Sequence, residues 1–207
     1  MTAPKITLII SAYNEEKYIG ECLDYVLRNS RGQFLEILVI DNASTDRTAE
    51  IAGQRPGVRV VREDTRGVTR ARQRGYREAR GEILAFIDAD TRHPEGWYEK
   101  IVEEFSNDSE LACLSGPYLY YDFPFWLRSL ATFFWRAIAY PVSRISGYMA
   151  IAGNMVLTKE ALDKMGGFDT SIEFYGDDTD TVRRAKAFGN VKFSLSFVMP
   201  TSGRRFF

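Results

Sequence analysis

The chain has 207 residues with 27 basic and 28 acidic side chains, a near-neutral balance that argues neither for nucleic acid nor for another polyanionic partner. Its length is enough for one large domain with a substantial core. The two cysteines, Cys22 and Cys113, lie far apart in apolar surroundings and are expected to stay reduced.

Met1-Thr2-Ala3-Pro4-Lys5 runs directly into a strand without the apolar stretch of a secretory signal. A cytoplasmic protein, in the cytosol or at the cytosolic face of a membrane, is therefore expected. Ile6 to Ile10 is a short apolar run that turns polar at Ser11-Ala12-Tyr13-Asn14-Glu15-Glu16. From Ile19 the apolar residues Ile19, Cys22, Leu23, Val26 and Leu27 recur at helical spacing, predicting a helix with one buried face. Leu35 to Ile40 predicts a second buried strand. It ends in Asp41-Asn42-Ala43-Ser44-Thr45-Asp46, turn and cap residues that lead to a short helix near Arg47 to Ala52. A third strand is predicted at Val58 to Val61, then Thr65-Arg66-Gly67 and a helix through Ala79. Arg70, Arg72, Arg74 and Arg77 on that helix are expected to form a solvated face, with Arg66 and Arg70, nearest the preceding loop, as candidate exceptions. Ala71, Gly75 and Ala79 would let the helix pack closely on a sheet.

Gly81-Glu82 opens the run Ile83-Leu84-Ala85-Phe86-Ile87, which ends in Asp88-Ala89-Asp90. Five unbroken apolar residues predict a strand covered on both faces inside a parallel sheet, where ligands bind beyond the carboxyl ends of strands. Alternate residues of an extended chain point the same way, so Asp88 and Asp90 can share a side. Two such anions repel unless a cation lies between them. A divalent metal carrying a diphosphate suits that place, because magnesium is typically held by one or two carboxylates plus phosphate oxygens. Taken alone, Asp-x-Asp more often marks a solvated acidic turn. Three acid-bearing strand ends, at Asn14-Glu15, Asp41-Asn42 and Asp88 with Asp90, would make a site if they met at one edge. The alternation of elements predicts an α/β fold with a mostly parallel central sheet flanked by helices.

Pro94 fits the first position of a helix that buries Trp97, Ile101 and Phe105, and His93, the only histidine, reads as a helix cap or surface residue. Leu111 to Tyr121 contains a further strand with aromatic residues at its end. Phe123 to Val142 is aromatic-rich, contains Arg128 and Arg136, and is bracketed by Pro124 and Pro141. It has about the length of a spanning helix, but its arginines leave two readings, a core helix or an interfacial helix with tryptophan and arginine at headgroup level. Met149 to Leu157 is an apolar stretch carrying Gly153-Asn154. Thr158 can cap a helix over Lys159 to Met165, which Gly166-Gly167 stops. Glu173-Phe174-Tyr175-Gly176-Asp177-Asp178-Thr179-Asp180 opens a helix with Val182, Ala185 and Phe188 as its apolar residues. Acids suit a helix N-terminus, yet this cluster exceeds what capping needs. The chain closes with Val191 to Val198 and then Thr201-Ser202-Gly203-Arg204-Arg205-Phe206-Phe207, an apolar ending expected of a chain that continues.

Ile9 to Glu15, Val39 to Asp46, Gly67 to Gly75, Gly81 to Asp90, Gly166-Gly167-Phe168 and Gly176 to Asp180, in this order, resemble the motifs of family 2 glycosyltransferases of the GT-A fold. The resemblance implies a single GT-A-like α/β domain over 1–207. Its Rossmann-like nucleotide-sugar-binding half would be 1–92, and its acceptor-binding and catalytic half 93–207. By motif position it implies that Ala12, Tyr13, Glu15 and Asp41 line the nucleoside pocket, with Arg66 or Arg70 near base or phosphate. Asp88 would lie near the ribose or sugar and adjoin the metal, Mg2+ or Mn2+, which Asp90 would bind. Asp177-Asp178 stands where the family has Glu-Asp, making Asp178 the expected catalytic base and Asp177, one methylene shorter than glutamate, a contact to acceptor or sugar. Gly153 and Asn154 are assigned to the acceptor or sugar.

A late histidine and the Gln/Arg-x-x-Arg-Trp motif of processive relatives do not occur, so Arg204 or Arg205 is expected to close over the diphosphate and sugars to be added singly. Residue chemistry agrees: a cation stabilises charge on the leaving phosphate, and a base within reach takes the acceptor proton. The expected reaction is one inverting displacement from a nucleotide-diphospho-sugar, with UDP-sugars favoured, to a carbohydrate or lipid-linked acceptor hydroxyl. Peripheral membrane contact would run through 123–142, and no nucleic acid is involved. A nucleotidyltransferase would place a glycine-rich basic loop where Ser11 to Glu15 stands, and a non-catalytic nucleotide-sugar-binding scaffold would not need Asp178.

Overall fold

The computed structural model describes residues 4–172 and 176–206; Glu173, Phe174, Tyr175 and Phe207 lie outside the described residues, as does the side chain of Arg205. Strands β1 (Ile6–Ala12), β2 (Glu36–Asn42), β3 (Val58–Glu63) and β4 (Ile83–Asp88) alternate with helices α1 (Ile19–Ser30), α2 (Thr48–Gly53) and α3 (Val68–Glu78). There follow α4 (Trp97–Asn107), β5 (Leu111–Ser115), β6 (Tyr118–Tyr120), α5 (Phe125–Phe134), α6 (Tyr140–Ser146), β7 (Asn154–Thr158), α7 (Lys159–Lys164), α8 (Asp177–Ala185), β8 (Asn190–Phe193) and β9 (Met199–Thr201). The main sheet runs β3-β2-β1-β4-β7-β5-β8, and β6 pairs separately with β9. β7 lies antiparallel to β4 and β5, and the other pairings in the main sheet are parallel. The sheet is thus mostly parallel, as expected.

Alternation along β1 divides the core in two. Ile6, Leu8 and Ile10 face the layer that holds Ile19, Leu23 and Val26 of α1 with Trp97 and Ile101 of α4. Ile9 faces the opposite layer, with Ala71 of α3, Val182 and Ala185 of α8, and Phe168. The small residues of α3 matter here: a Cβ on Gly75 would come within 2.5 Å of Ile9 Cγ2, so a larger side chain would push α3 off the sheet.

Several expectations change. α4 begins at Trp97 behind Gly96, whose φ is 77°, so Pro94 belongs to the approach and not to the first helical turn. His93 is neither cap nor surface residue. It is fully buried, packed edge-on against Phe34 and Trp97, and burial holds its imidazole down at about 4. α8 ends at Ala185, leaving Phe188 exposed in a short 3-10 turn. Within Val191 to Val198 only the part through Phe193 is strand, the end of β8; β9 starts after it, at Met199. Both cysteines are buried free thiols.

The core-helix reading of Phe123 to Val142 fails. The segment is helical, but α5 buries none of its residues. It passes through a π turn at Trp135–Ala139 into α6. Among the described residues, no helix is long and apolar enough to cross a membrane.

Candidate active site

Parallel register sets the site. Ser11 lies opposite Asp88 and Ala12 opposite Asp41, so the acid-bearing ends of β1, β2 and β4 arrive at one edge. Beyond it opens a cleft of about 840 Å³. Its walls come from Ser11 to Tyr13 and Glu15, the loop and first turn around Arg66 to Arg72, Asp88, Tyr118, Ile151 to Gly153, Asp177 with Asp178, and Arg204. Ala12, Tyr13, Glu15, Arg66, Arg70, Asp88, Gly153, Asp177, Asp178 and Arg204 therefore share one cavity, as the motifs imply.

The nucleotide side is tied together by local hydrogen bonds. Asn42 Nδ2 donates to the Thr65 carbonyl at 2.8 Å while Gly67 N donates to Asn42 Oδ1 at 2.8 Å, fixing the loop that enters α3. That loop carries Arg66, whose guanidinium lies 4.3 Å from the centre of the Tyr13 ring. Asp41 sits behind the cleft wall, where Asn42 takes the lining position. Its Oδ2 accepts from Arg62 Nη1 at 2.6 Å, and its buried Oδ1 has no hydrogen-bond partner among the described residues.

Asp88 and Asp90 do not form an equal pair. β4 stops at Asp88, so the alternation that would aim both carboxylates alike ends there. Asp88 Oδ2 accepts from the Tyr118 hydroxyl at 2.9 Å, and its Oδ1 lies 3.8 Å from Arg72 Nη2. Asp90, only 4% exposed, accepts from Arg204 Nε at 2.9 Å. The same guanidinium pairs with Glu15 and lies over the Tyr18 ring. The cation beside Asp90 is thus Arg204, and the one beside Asp88 is Arg72. Among the described residues, no three His, Cys, Asp or Glu side chains converge on a cation site. One or two carboxylates are nevertheless the usual protein share for magnesium held with phosphate oxygens. The donor set therefore fits a divalent ion shared with a diphosphate, for which Asp90 and Asp88 would be the protein holders.

The second acidic pair opens α8 after Gly176, whose φ is 101°. Asp177 accepts from Arg72. Asp178 Oδ1 accepts from Thr179 N at 2.7 Å. Burial raises the Asp178 carboxyl above its ordinary value against that hydrogen bond, and the negative charge of Asp177 adds to the rise. A carboxylate so placed is a better base than an exposed one.

Arg72 is the residue the sequence reading missed. Expected on a solvated face, it is 5% exposed and joins Asp177 to Asp88, linking the two acidic groups. A signal was present: Arg72 lies between Ala71 and Gly75, the small residues that bring this side of α3 onto the sheet. Tyr118 was also missed, submerged in a strand noted only for its aromatic end.

Gly153 belongs to the wall by necessity, since a Cβ there would lie 2.3 Å from Asp88 Oδ2 and 2.0 Å from the Tyr118 oxygen. Asn154 does not belong to the site. It is fully buried; its Nδ2 donates to the carbonyls of Gly116 and Phe197, and its Oδ1 accepts from Trp97 Nε1 at 3.1 Å. With its amide already engaged at both ends, it serves the frame and is not free for an acceptor or sugar.

The sequence profile described as "Glycosyl transferase family 2" matches residues 7–166. A dolichol-phosphate mannosyltransferase of Pyrococcus furiosus is 32% identical over 112 residues, covering 52% of this chain and 32% of that protein. The chain spans about a third of the length of the curated relatives it matches. Among solved structures, the mannosyltransferase PcManGT from Pyrobaculum calidifontis, in complex with GDP-Man and Mn2+, superposes with a TM-score of 0.77 at 24% identity, over 98% of this chain and 58% of that one. S. aureus TarS 1-349 in complex with UDP-GlcNAc gives 0.73 at 18% identity, over 94% of this chain and 57% of that one. With the profile covering most of its length and the same fold in these neighbours, the chain belongs to glycosyl transferase family 2 and adopts the GT-A fold.

Proposed function

We propose that the chain transfers a sugar from a nucleotide-diphospho-sugar to an acceptor hydroxyl in one inverting step. The observation that carries this reading is the division of acids about one cleft: Asp88 at the end of β4, with buried Asp90 two residues beyond it, and Asp177 and Asp178 at the start of α8. Asp178 takes the proton of the acceptor hydroxyl, whose oxygen bonds to the anomeric carbon. The bond from that carbon to the diphosphate breaks on the opposite face, and its electron pair leaves with the diphosphate. Asp177, held by Arg72, fixes the turn that presents Asp178 and contacts acceptor or sugar. Bound Mg2+ or Mn2+, held by Asp90 with Asp88, would supply neutralisation of charge on the leaving group.

Ala12, Tyr13, Glu15 and Asp41 make up the nucleoside side. Asp41 Oδ1, buried just behind the cleft wall and without a hydrogen-bond partner among the described residues, suits a base imide N–H that reaches it, and a UDP-sugar is the favoured donor. The two neighbours above were solved with GDP-Man and with UDP-GlcNAc, so the fold accommodates both classes elsewhere. Arg66 and Arg70 serve base or phosphate, and Arg204 the diphosphate. The acceptor is a carbohydrate or lipid-linked hydroxyl, consistent with a place at the cytosolic face of a membrane. A non-catalytic scaffold would bind the same donor without needing the raised Asp178 carboxyl.

The test is binding and slow hydrolysis of a nucleotide-sugar panel, with and without manganese, on wild type, Asp90→Ala and Asp178→Asn. Asp90→Ala should lose metal-dependent binding. Asp178→Asn should keep binding and lose turnover by roughly 10² to 10⁴. Equal activity in all three proteins overturns the mechanism, and equal binding with no turnover in any of them favours the scaffold.

A further inference from the structure

The arm formed by α5, the π turn and α6 carries most of the exposed large apolar side chains among the described residues. Phe125 is 85% exposed and Ile145 88%, and Trp126, Leu130, Phe133, Phe134, Ile138 and Val142 are also exposed. Trp126, Leu130 and Phe133 follow one another at helical spacing, as do Ile138, Val142 and Ile145. The five-residue step from Phe133 to Ile138 falls across the π turn at Trp135–Ala139. A π turn accommodates an extra residue per turn, so the apolar stripe continues along about 30 Å of helix. Contiguous exposed apolar surface on this scale marks an interaction site.

Charge selects the occupant. The chain carries 28 acidic residues, yet none falls between Asp122 and Glu160, where Arg128, Arg136 and Arg144 punctuate the apolar stripe. Phe125, Arg128, Ser129, Thr132, Phe133 and Arg136 line an open groove of about 500 Å³ in which guanidinium groups and aromatic rings meet. Tryptophan and phenylalanine beside arginine, with no acid in the segment itself, is the composition of a helix lying in a lipid headgroup layer. A polybasic segment is attracted there by anionic lipid.

We infer that the α5–α6 arm docks the protein on an anionic phospholipid bilayer, lying in the headgroup layer. This goes beyond the transferase reading and does not rest on it. Both roots of the arm adjoin the cleft. At one root Phe123 stacks on Tyr120, with ring centres 4.5 Å apart, in the strand that supplies Tyr118; at the other the chain returns through Gly147 to Ile151 and Gly153 on the cleft wall. A docked arm therefore brings the cleft to the membrane surface.

The experiment is co-sedimentation of the 207-residue chain, without donor, with vesicles of phosphatidylcholine alone or mixed with phosphatidylglycerol. Wild type should bind the mixed vesicles, lose binding as salt is raised, and leave phosphatidylcholine vesicles largely unbound. Trp126→Ser/Phe133→Ser/Ile145→Ser and, separately, Arg136→Gln/Arg144→Gln should each weaken binding on the order of tenfold or more, with melting curves matching wild type. No binding to mixed vesicles, equal binding to both vesicle types, or a triple serine variant that binds like wild type overturns the inference. So does a concentration-dependent dimer that the serine variant abolishes, because a second copy would then be the occupant. Since no sugar transfer is measured, failure here is distinguishable from failure of the catalytic reading.

Discussion

The floor of the cleft and the α5–α6 arm solve opposite problems. In the cleft, charges that would be costly to bury are held in pairs: Arg72 between Asp88 and Asp177, and Arg204 between Glu15 and Asp90. On the arm, apolar side chains that would ordinarily be buried stand in the open with arginines among them. The first region meets its charges with counter-charges of the same chain; the second leaves its apolar side chains exposed. What the difference teaches is that hydrophobicity measures a demand for cover, and the cover need not be protein.

Three measurements would break or sharpen this contrast. The largest effect is expected at the base. Because burial raises the Asp178 carboxyl, its basic form is lost as pH falls through a value above the ordinary carboxylate range. kcat/KM should therefore decline on an acid limb displaced upward, and rate loss confined to the ordinary carboxylate range would remove Asp178 from the role.

Next is Arg72→Ala, which leaves Asp88 and Asp177 without their shared cation. Breaking a buried pair in this way costs about 3–5 kcal/mol, read as a lower Tm. Arg72→Lys should recover part of it, because lysine restores the charge but not the two-pronged geometry. A Tm unchanged in the alanine variant would mean that the acids find compensation elsewhere.

The smallest effect is expected on the arm. Phe133→Ser should alter unfolding free energy in solution by no more than about 0.5 kcal/mol, whereas a core phenylalanine replaced by alanine costs about 3–5 kcal/mol. A loss of core size in denaturant titration would show that Phe133 is covered in solution.

Much of the first half was legible because its signals are local. Strand runs, helical spacing in α1 and the acids after β1, β2 and β4 all lie within short windows, and parallel pairing then brings the acids to one edge. What stayed hidden depended on distant partners. Arg72 resembled its exposed neighbours because Asp177 lies 105 residues further on. Asn154 sat in an apolar stretch as if displayed for a ligand, but its bonds run to Trp97, Gly116 and Phe197. His93 had no local mark of burial, since the Phe34 ring that covers it belongs to an earlier loop. Phe123 to Val142 was ambiguous for a different reason: periodicity reports that a face needs cover without saying what provides it.

The Glu15–Arg204 contact joins positions 189 residues apart. Contacts between such distant positions are slow to form, because the loop between them must be ordered first. The parallel strands at the start of the chain can therefore pair during synthesis well before Arg204 has emerged. The growing chain thus possesses a sheet before it possesses a finished donor pocket.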